Sequence, residues 1–336
     1  MTKKRVQLLI FIGSLVVLPF LLPNYQVYIL SLVGINVLAA LGLNVLTGYA
    51  GQISLGHAGF LAVGGYSAAI IQAQFGLPIW LSLPLAGTVT AVVGLLLVIP
   101  ALRLSEIYLA IATLGFGVAV QQLLPQLPFT GGHQGLNVSR IALDGWIEYE
   151  TVLGPLRFNE RVNFYFFVLA VCLVLWWITK NAIHSRIGRS FIAVRDRELA
   201  AESLGINLPI AKSRAFMLSA FLTGVAGGLY ANAVGYLNVG TMGLGLSILF
   251  LAMIAIGGMA SMPGTLLGAV FVTLLPHLLS GYQQWIPSFI FGAALLAAVV
   301  FLPYGLWGAW LRSQGKRDAM MRSVRDLFGK RGDQNA

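Results

Sequence analysis

Charge is what this sequence has least of: 10% of its 336 residues are Asp, Glu, Lys or Arg, against 58% hydrophobic, and the mean hydropathy is +0.84. So little polar surface excludes a soluble globule and points to a polytopic membrane protein. Cysteine is scarcer still. The single one, Cys172, lies in an apolar run, so no internal disulfide is possible and it reads as a small buried hydrophobe. Acidic residues are missing from the middle of every apolar run; only Glu106 approaches one, with Arg103 three residues earlier as its expected partner at a span edge. Ion- and proton-driven carriers usually place carboxylates or histidines within their spans, so this scarcity weighs against such coupling. The histidines His57, His133, His184 and His277 are too dispersed for a metal site and lack Cys or Asp partners. No GxxxxGK[ST], GxSxG or HExxH run occurs, which excludes a P-loop and leaves no catalytic constellation. No catalytic residue, metal or cofactor is expected, and any energy source must belong to a partner.

What is present is a series of apolar stretches near 6–23, 27–47, 57–75, 79–100, 105–125, 163–179, 214–236, 243–260, 264–281 and 287–310. The expected fold is an all-α polytopic membrane protein of about ten transmembrane helices, some broken or re-entrant. Lys3, Lys4 and Arg5 precede the first stretch as in a signal peptide, but Leu21, Leu22, Pro23 and Asn24 stand where a cleavage site needs small residues, so an uncleaved span is expected. With both ends of the chain cytoplasmic, all but three of the 21 lysines and arginines fall inside; Arg140, Arg157 and Arg161 are outside. The basic balance is then a topology device rather than a nucleic-acid patch. Tyr25, Tyr28, Trp80, Trp146, Tyr282, Trp285 and Trp307 lie near span ends, as interface anchors or packing residues do.

The transmembrane domain is expected over 1–311, followed by a basic cytoplasmic tail at 312–336 attracted to anionic lipid. Within it, the external loop 126–162 carries TGGHQGL at Thr130 to Leu136 and reads as a cap, a partner site or a solvated connector. The cytoplasmic loop 180–213 contains RDRELAAESLG, which predicts a helix with Ala193, Ala200 and Leu204 on one side and Arg195, Glu198 and Glu202 on the other. Gly205 is placed to end that helix as a C′ glycine. A short charged helix of this kind is a handle for a soluble partner or an interfacial helix.

The departure from uniform apolarity is greatest at Asn44 to Tyr66, NVLTGYAGQISLGHAGFLAVGGY. Its glycines, with Gln52, Ser54 and His57, predict a broken helix, because backbone at membrane depth leaves the helix only where protein or a water-filled cavity satisfies it. Asn44, Thr47, Gln52, Ser54 and His57 are the candidate lining residues of a translocation path. For His57 two readings stand: a hydrogen bond to a neighbouring helix or a contact to cargo. Further glycine-rich stretches, GVAGGLY at Gly224 to Tyr230 and IGGMASMPGTLLGA at Ile256 to Ala269, read either as breaks in a second half or as small residues for close packing.

The run LNVLTGYAGQISLGHAGFLAVGGY, the external TGGHQGL, the cytoplasmic AAESLGIN followed by AFLTGVAGGLYA, and the late IGGMASMPGTLLGA together resemble the LivM-type permeases of branched-chain amino acid ABC importers. The resemblance implies a subunit of a bacterial plasma (inner) membrane importer. It implies pairing with a homologous LivH-type permease, two ATP-binding subunits, and a periplasmic or lipid-anchored substrate-binding protein that meets the external loop. Glu198, Ala200, Ala201 and Gly205, with the flanking Arg195 and Glu202, then form the ATPase-coupling loop. The motif E-A-A-x3-G of such importers stands here with Leu199 at the glutamate position and Glu198 displaced by one; in the late block Ala260 and Thr265 replace the common Gly and Pro. Urea or short amides are alternative cargoes, and a self-sufficient channel or secondary carrier is the alternative class.

Overall fold

The computed structural model describes residues 13, 15–102, 106–138, 151–153, 156–158, 160–279, 285–301 and 305–312. Most of the first expected span, the Arg103 and Glu106 pair, the charged middle of the 126–162 loop and the tail beyond residue 312 lie outside the described positions or side chains.

The apolar stretches from residue 24 onward form helices where they are described. They are α1 (Asn24–Leu43), α2 (His57–Phe75), α3 (Ile79–Ala101), α4 (Glu106–Leu123), α5 (Glu160–His184), α6 (Arg186–Asp196), α7 (Glu198–Ser203), α8 (Leu208–Val234), α9 (Leu244–Gly257), α10 (Met262–Leu278) and α11 (Trp285–Phe301). Among the described residues, strands are confined to short antiparallel pairs. β1 (Leu136–Asn137) pairs with β4 (Tyr236–Leu237), tying the TGGHQGL segment to the end of α8, and β2 (Thr151–Leu153) pairs with β3 (Leu156–Phe158).

Among the described residues, five helical segments are long and apolar enough to cross a membrane: Asn24–Tyr49, Ile79–Ile99, Tyr108–Gln126, Glu160–His184 and Leu208–Val234. The expected span at 243–260 forms a shorter helix than its apolar pattern, and that at 264–281 corresponds to α10, 17 residues long. At 14 residues α9 is about 21 Å long, less than a hydrocarbon core of about 30 Å. The missing length is taken by a non-helical link at 258–261, where Ala260 adopts φ 56° and Ser261 caps α10 by accepting a hydrogen bond from the Gly264 N–H at 3.1 Å.

Helices α1 and α8 form the centre. Helix α8 packs on α1, α2 and α3, while α1 also meets α5, α9 and α10. The packing is close because the sequence puts glycine at the crossings. A Cβ on Gly64 of α2 would run into the Gly224 carbonyl of α8, and one on Gly227 would strike the Leu61 carbonyl. The stretch Gly224 to Tyr230 is therefore not a break: α8 runs unbroken through it, and its small residues admit neighbouring backbones. By contrast α3 exposes Trp80, Leu85, Val89, Val92, Leu96 and Ile99, an outward apolar face that suits lipid or another membrane helix.

The helix expected within 180–213 differs from its expected pattern. Arg197 is extended, at φ −159° and ψ 107°, so the expected single helix becomes α6 and α7 with a change of register between them. Ala201 is buried with Val194 and Ala211, whereas Ala200 and Leu204 face outward; the Ala193, Ala200 and Leu204 side does not exist as one surface. Gly205, at φ 80°, ends α7 as expected. Its N–H bonds the Glu202 carbonyl at 2.9 Å and the Ile206 N–H bonds the Ala201 carbonyl at 3.1 Å, a Schellman arrangement.

Candidate functional site

Helix α1 loosens before it stops. Asn44–Tyr49 is a π-helical turn, and residues 50–56 then run non-helically to α2. Wide turns of this type leave the backbone groups beyond them without regular partners, and they concentrate at functional positions. The replacements can be traced. The Gln52 N–H reaches the Leu46 carbonyl at 3.0 Å, the Leu55 N–H reaches Thr113 Oγ1 on α4 at 3.0 Å, and the Ala58 N–H reaches Ser247 Oγ on α9 at 2.9 Å. Gly56 supplies no side-chain cap, so the start of α2 is satisfied by hydroxyls from other helices.

Asn44, fully buried, joins this break to the one at 258–261. Its Oδ1 accepts the Ala260 N–H at 2.9 Å, and its Nδ2 donates to Thr265 Oγ1 at 2.6 Å and to the Ser261 carbonyl at 3.2 Å. Thr47 Oγ1 donates to the Gln52 carbonyl at 3.0 Å, closing the loop of the first break on itself.

His57 bridges α2 to α8. Ser219 Oγ donates to the Gly42 carbonyl at 2.7 Å, so its oxygen accepts the contact from His57 Nε2 at 2.9 Å. With Nε2 carrying the proton, Nδ1 accepts from Ser54 Oγ at 3.1 Å. Both nitrogens of a neutral imidazole are thereby used, and the Phe60 ring packs edge-on at 5.6 Å. The geometry favours the helix-bridging reading over a cargo contact.

Gln52 stands apart from these four. It is 3% exposed, and neither side-chain Nε2 nor Oε1 has a protein hydrogen-bond partner among the described residues. It is the member of the candidate set with hydrogen-bonding capacity left over.

The 180–213 loop touches the break directly. Arg195 of α6 donates from its guanidinium to the Gly48 carbonyl at 3.0 Å and pairs with Asp196 at 2.8 Å. Its stem lies on Gly51, which is left-handed at φ 72°; a Cβ there would come within 2.7 Å of Arg195 Cγ. Glu198 pairs with Lys212 of α8 at 2.7 Å, bracing α7. Leu199 and Leu204 are each 81% exposed, with Ala200 and Glu202 also outward, so α7 presents an apolar edge in a charged setting.

The sequence reading missed Thr113, Ser219, Ser247, Ser261 and Thr265, the hydroxyl partners contributed from elsewhere. Their signal is faint: a lone Ser or Thr in an apolar run, a residue type that also satisfies its own helix by bonding four residues back. No group of three or more His, Cys, Asp or Glu among the described residues is placed to hold a metal ion.

A polytopic α-helical protein whose interior is organised around two interrupted segments has the architecture of a membrane transport component. Comparison with known proteins makes this specific: residues 25–300 match the family described as branched-chain amino acid transport system / permease component, and the chain belongs to that family. The high-affinity branched-chain amino acid transport system permease protein LivM of Escherichia coli (strain K12) is 32% identical over 260 residues, covering 73% of this chain and 61% of LivM. The autoinducer 2 import system permease protein LsrC of Escherichia coli O9:H4 (strain HS) is 28% identical over 236 residues, or 66% of this chain and 64% of LsrC. The chain thus spans less than two thirds of the length of these relatives. No solved structure matches.

Proposed function

We propose that this chain is the LivM-type membrane subunit of an ATP-driven importer for branched-chain or other neutral amino acids, forming the path with a homologous LivH-type permease. In this reading it lies in a bacterial inner membrane with about ten spans and both ends cytoplasmic. Two ATP-binding subunits dock on the 180–213 loop, and a substrate-binding protein meets the 126–162 loop.

The observation that carries the proposal is the contact of Arg195 with Gly48 and Gly51. It gives a partner bound at α7 a short mechanical route to the broken segment. Asn44 extends the route to the second break through Ala260, Ser261 and Thr265. Closure of the ATPases would push α6 and α7, and the non-helical links, which hold fewer regular hydrogen bonds than helix, would yield first. Glu198, Ala200, Ala201, Glu202 and Gly205 shape the docking surface, and Arg195 transmits its motion. Along the path Gln52 offers its amide to cargo, while Asn44, Thr47, Ser54 and His57 hold the wall in place. A zwitterion needs partners of both polarities, and one amide supplies a donor and an acceptor without burying charge. The LsrC relationship favours a second reading of the cargo, in which the same scaffold passes a different small polar solute.

Reconstitution of the complete complex in liposomes tests the proposal. Leucine uptake should require ATP and the partner subunits, and Arg195→Ala should abolish uptake while the ATPase subunits stay bound. Uptake by this chain alone, or normal uptake by the Arg195→Ala complex, would show the coupling route to be wrong.

A further inference from the structure

A second polar site lies away from the breaks, between α1, α5 and α8, near Asn24, Glu160 and Val234. Here a cavity of about 290 Å3 is lined by Tyr25, Tyr28, Ser31, Glu160, Arg161 and Asn232 among others. Its residues divide by depth. Ser31 and Asn232 are 2% and 6% exposed and form the buried end, whereas Tyr25, Glu160 and Arg161 are exposed and form the rim.

The two ends differ in hydrogen-bonding character. Ser31 Oγ donates its proton to the Val27 carbonyl at 3.1 Å, and Asn232 Nδ2 donates to the Gly228 carbonyl at 2.8 Å. The Ser31 hydroxyl and one of the two Asn232 amide hydrogens are thus directed into their own helices, and acceptor oxygens remain. Asn232 Oδ1 is buried and receives no hydrogen bond from any described residue. A buried acceptor in this state calls for a donor from outside the chain. At the rim the Arg161 guanidinium makes one long contact, 3.4 Å to the Asn24 carbonyl, and retains donors for an oxyanion. The half-buried Tyr28 also lines the cavity.

We propose that this cavity binds a small zwitterion, its ammonium group at the Ser31 and Asn232 oxygens and its anionic oxygens at Arg161. A free α-amino acid and the phosphoethanolamine headgroup of a lipid both carry this pair of groups. The site is distinct from the path residues and does not depend on what the complex transports, so its test is equilibrium binding to the full-length chain rather than uptake.

Two membrane compositions separate the sources. In nanodiscs of phosphatidylglycerol, calorimetry should detect leucine binding, with isocaproate (no ammonium) and isoamylamine (no carboxylate) at least tenfold weaker. In discs containing phosphatidylethanolamine, native mass spectrometry reads preferential retention of that lipid over phosphatidylglycerol. Binding in either arm that falls at least tenfold in both Asn232→Leu and Arg161→Gln supports the site and assigns its source. Thermal unfolding checks that the variants are folded; should Asn232→Leu fail, Asn232→Asp provides the second reading, because an added carboxylate tightens ammonium binding. Absence of binding in both arms, or binding indifferent to these substitutions, overturns the proposal.

Discussion

Replacing Asn44 by Ala should open the joint between the two breaks while leaving the helix bundle assembled. The substitution removes three hydrogen bonds, to the Ala260 N–H, the Ser261 carbonyl and Thr265 Oγ1. Interhelical hydrogen bonds inside membranes average about 0.6 kcal/mol each, so the bonds alone account for about 2 kcal/mol. The unpaired Ala260 N–H adds about 1–3 kcal/mol unless the link rearranges. Rearrangement is favoured, because Ala260 holds a left-handed φ of 56°, a conformation that costs an L-residue about 1–2 kcal/mol. The net expectation is a local loss of about 3 kcal/mol, or roughly a hundredfold in the opening equilibrium. Hydrogen exchange in nanodiscs reads this directly: peptides covering 255–265 should exchange about a hundredfold faster, while peptides from the middle of α8 should be unchanged. Thr265→Val, which removes one of the three bonds together with the Thr265 hydroxyl's own bond to the Ser261 carbonyl but leaves the Ala260 N–H paired, should give a smaller effect. If protection across 255–265 is the same in Asn44→Ala as in the parent chain, Asn44 does not hold the second break and the mechanical route through it fails.

Other expectations follow from the same contacts. Replacing both Leu199 and Leu204 by Glu should weaken ATPase binding at least tenfold in a pull-down of the complex, with no change in the thermal unfolding of this chain, because both residues are 81% exposed. Gly64→Val should prevent accumulation of folded protein, since Gly64 lies against the Gly224 backbone, whereas Gly115→Ala, with open space around it, should be neutral in the same expression and gel-filtration assay. Gly205→Ala should destabilise the end of α7 by about 1 kcal/mol through its left-handed φ of 80°, read as faster proteolysis of the 198–208 segment. Gln52→Leu should be neutral or stabilising in thermal unfolding, because it removes two buried polar atoms without partners, while reducing uptake at least tenfold if the amide contacts cargo.

Much of this architecture was legible because hydrophobic runs and glycine placement act locally. The expected start of the third stretch, residue 57, is the first residue of α2, and Asn44 to Gly56 does leave the α-helix. The stretch at Gly224 to Tyr230 shows the limit of that reading. Glycine at a break and glycine at a helix crossing look alike in one sequence; only the neighbour decides, and for Gly224 the neighbour is Gly64. The turn at Arg197 was hidden for a different reason, since an alanine- and glutamate-rich stretch has high helix propensity and a single extended residue leaves no compositional mark. The candidate set at Asn44 to His57 was visible as polarity out of place. What separates its members, which atoms are bonded and which are not, depends on Ser219, Ser261 and Thr265, more than 150 positions away along the chain.

The glycine crossings of α2, α3 and α8 bear on how such a molecule can move. Where the α2 and α8 backbones meet at Gly64, Gly224 and Gly227, no side chains lie between them and there are no rotamers to exchange, and on α3 Gly87 and Gly94 take side chains of α8. These three helices form a keel. In the proposed importer the rearrangement that admits and releases a solute is expected at 50–56 and 258–261, and a cross-link across either link should arrest uptake.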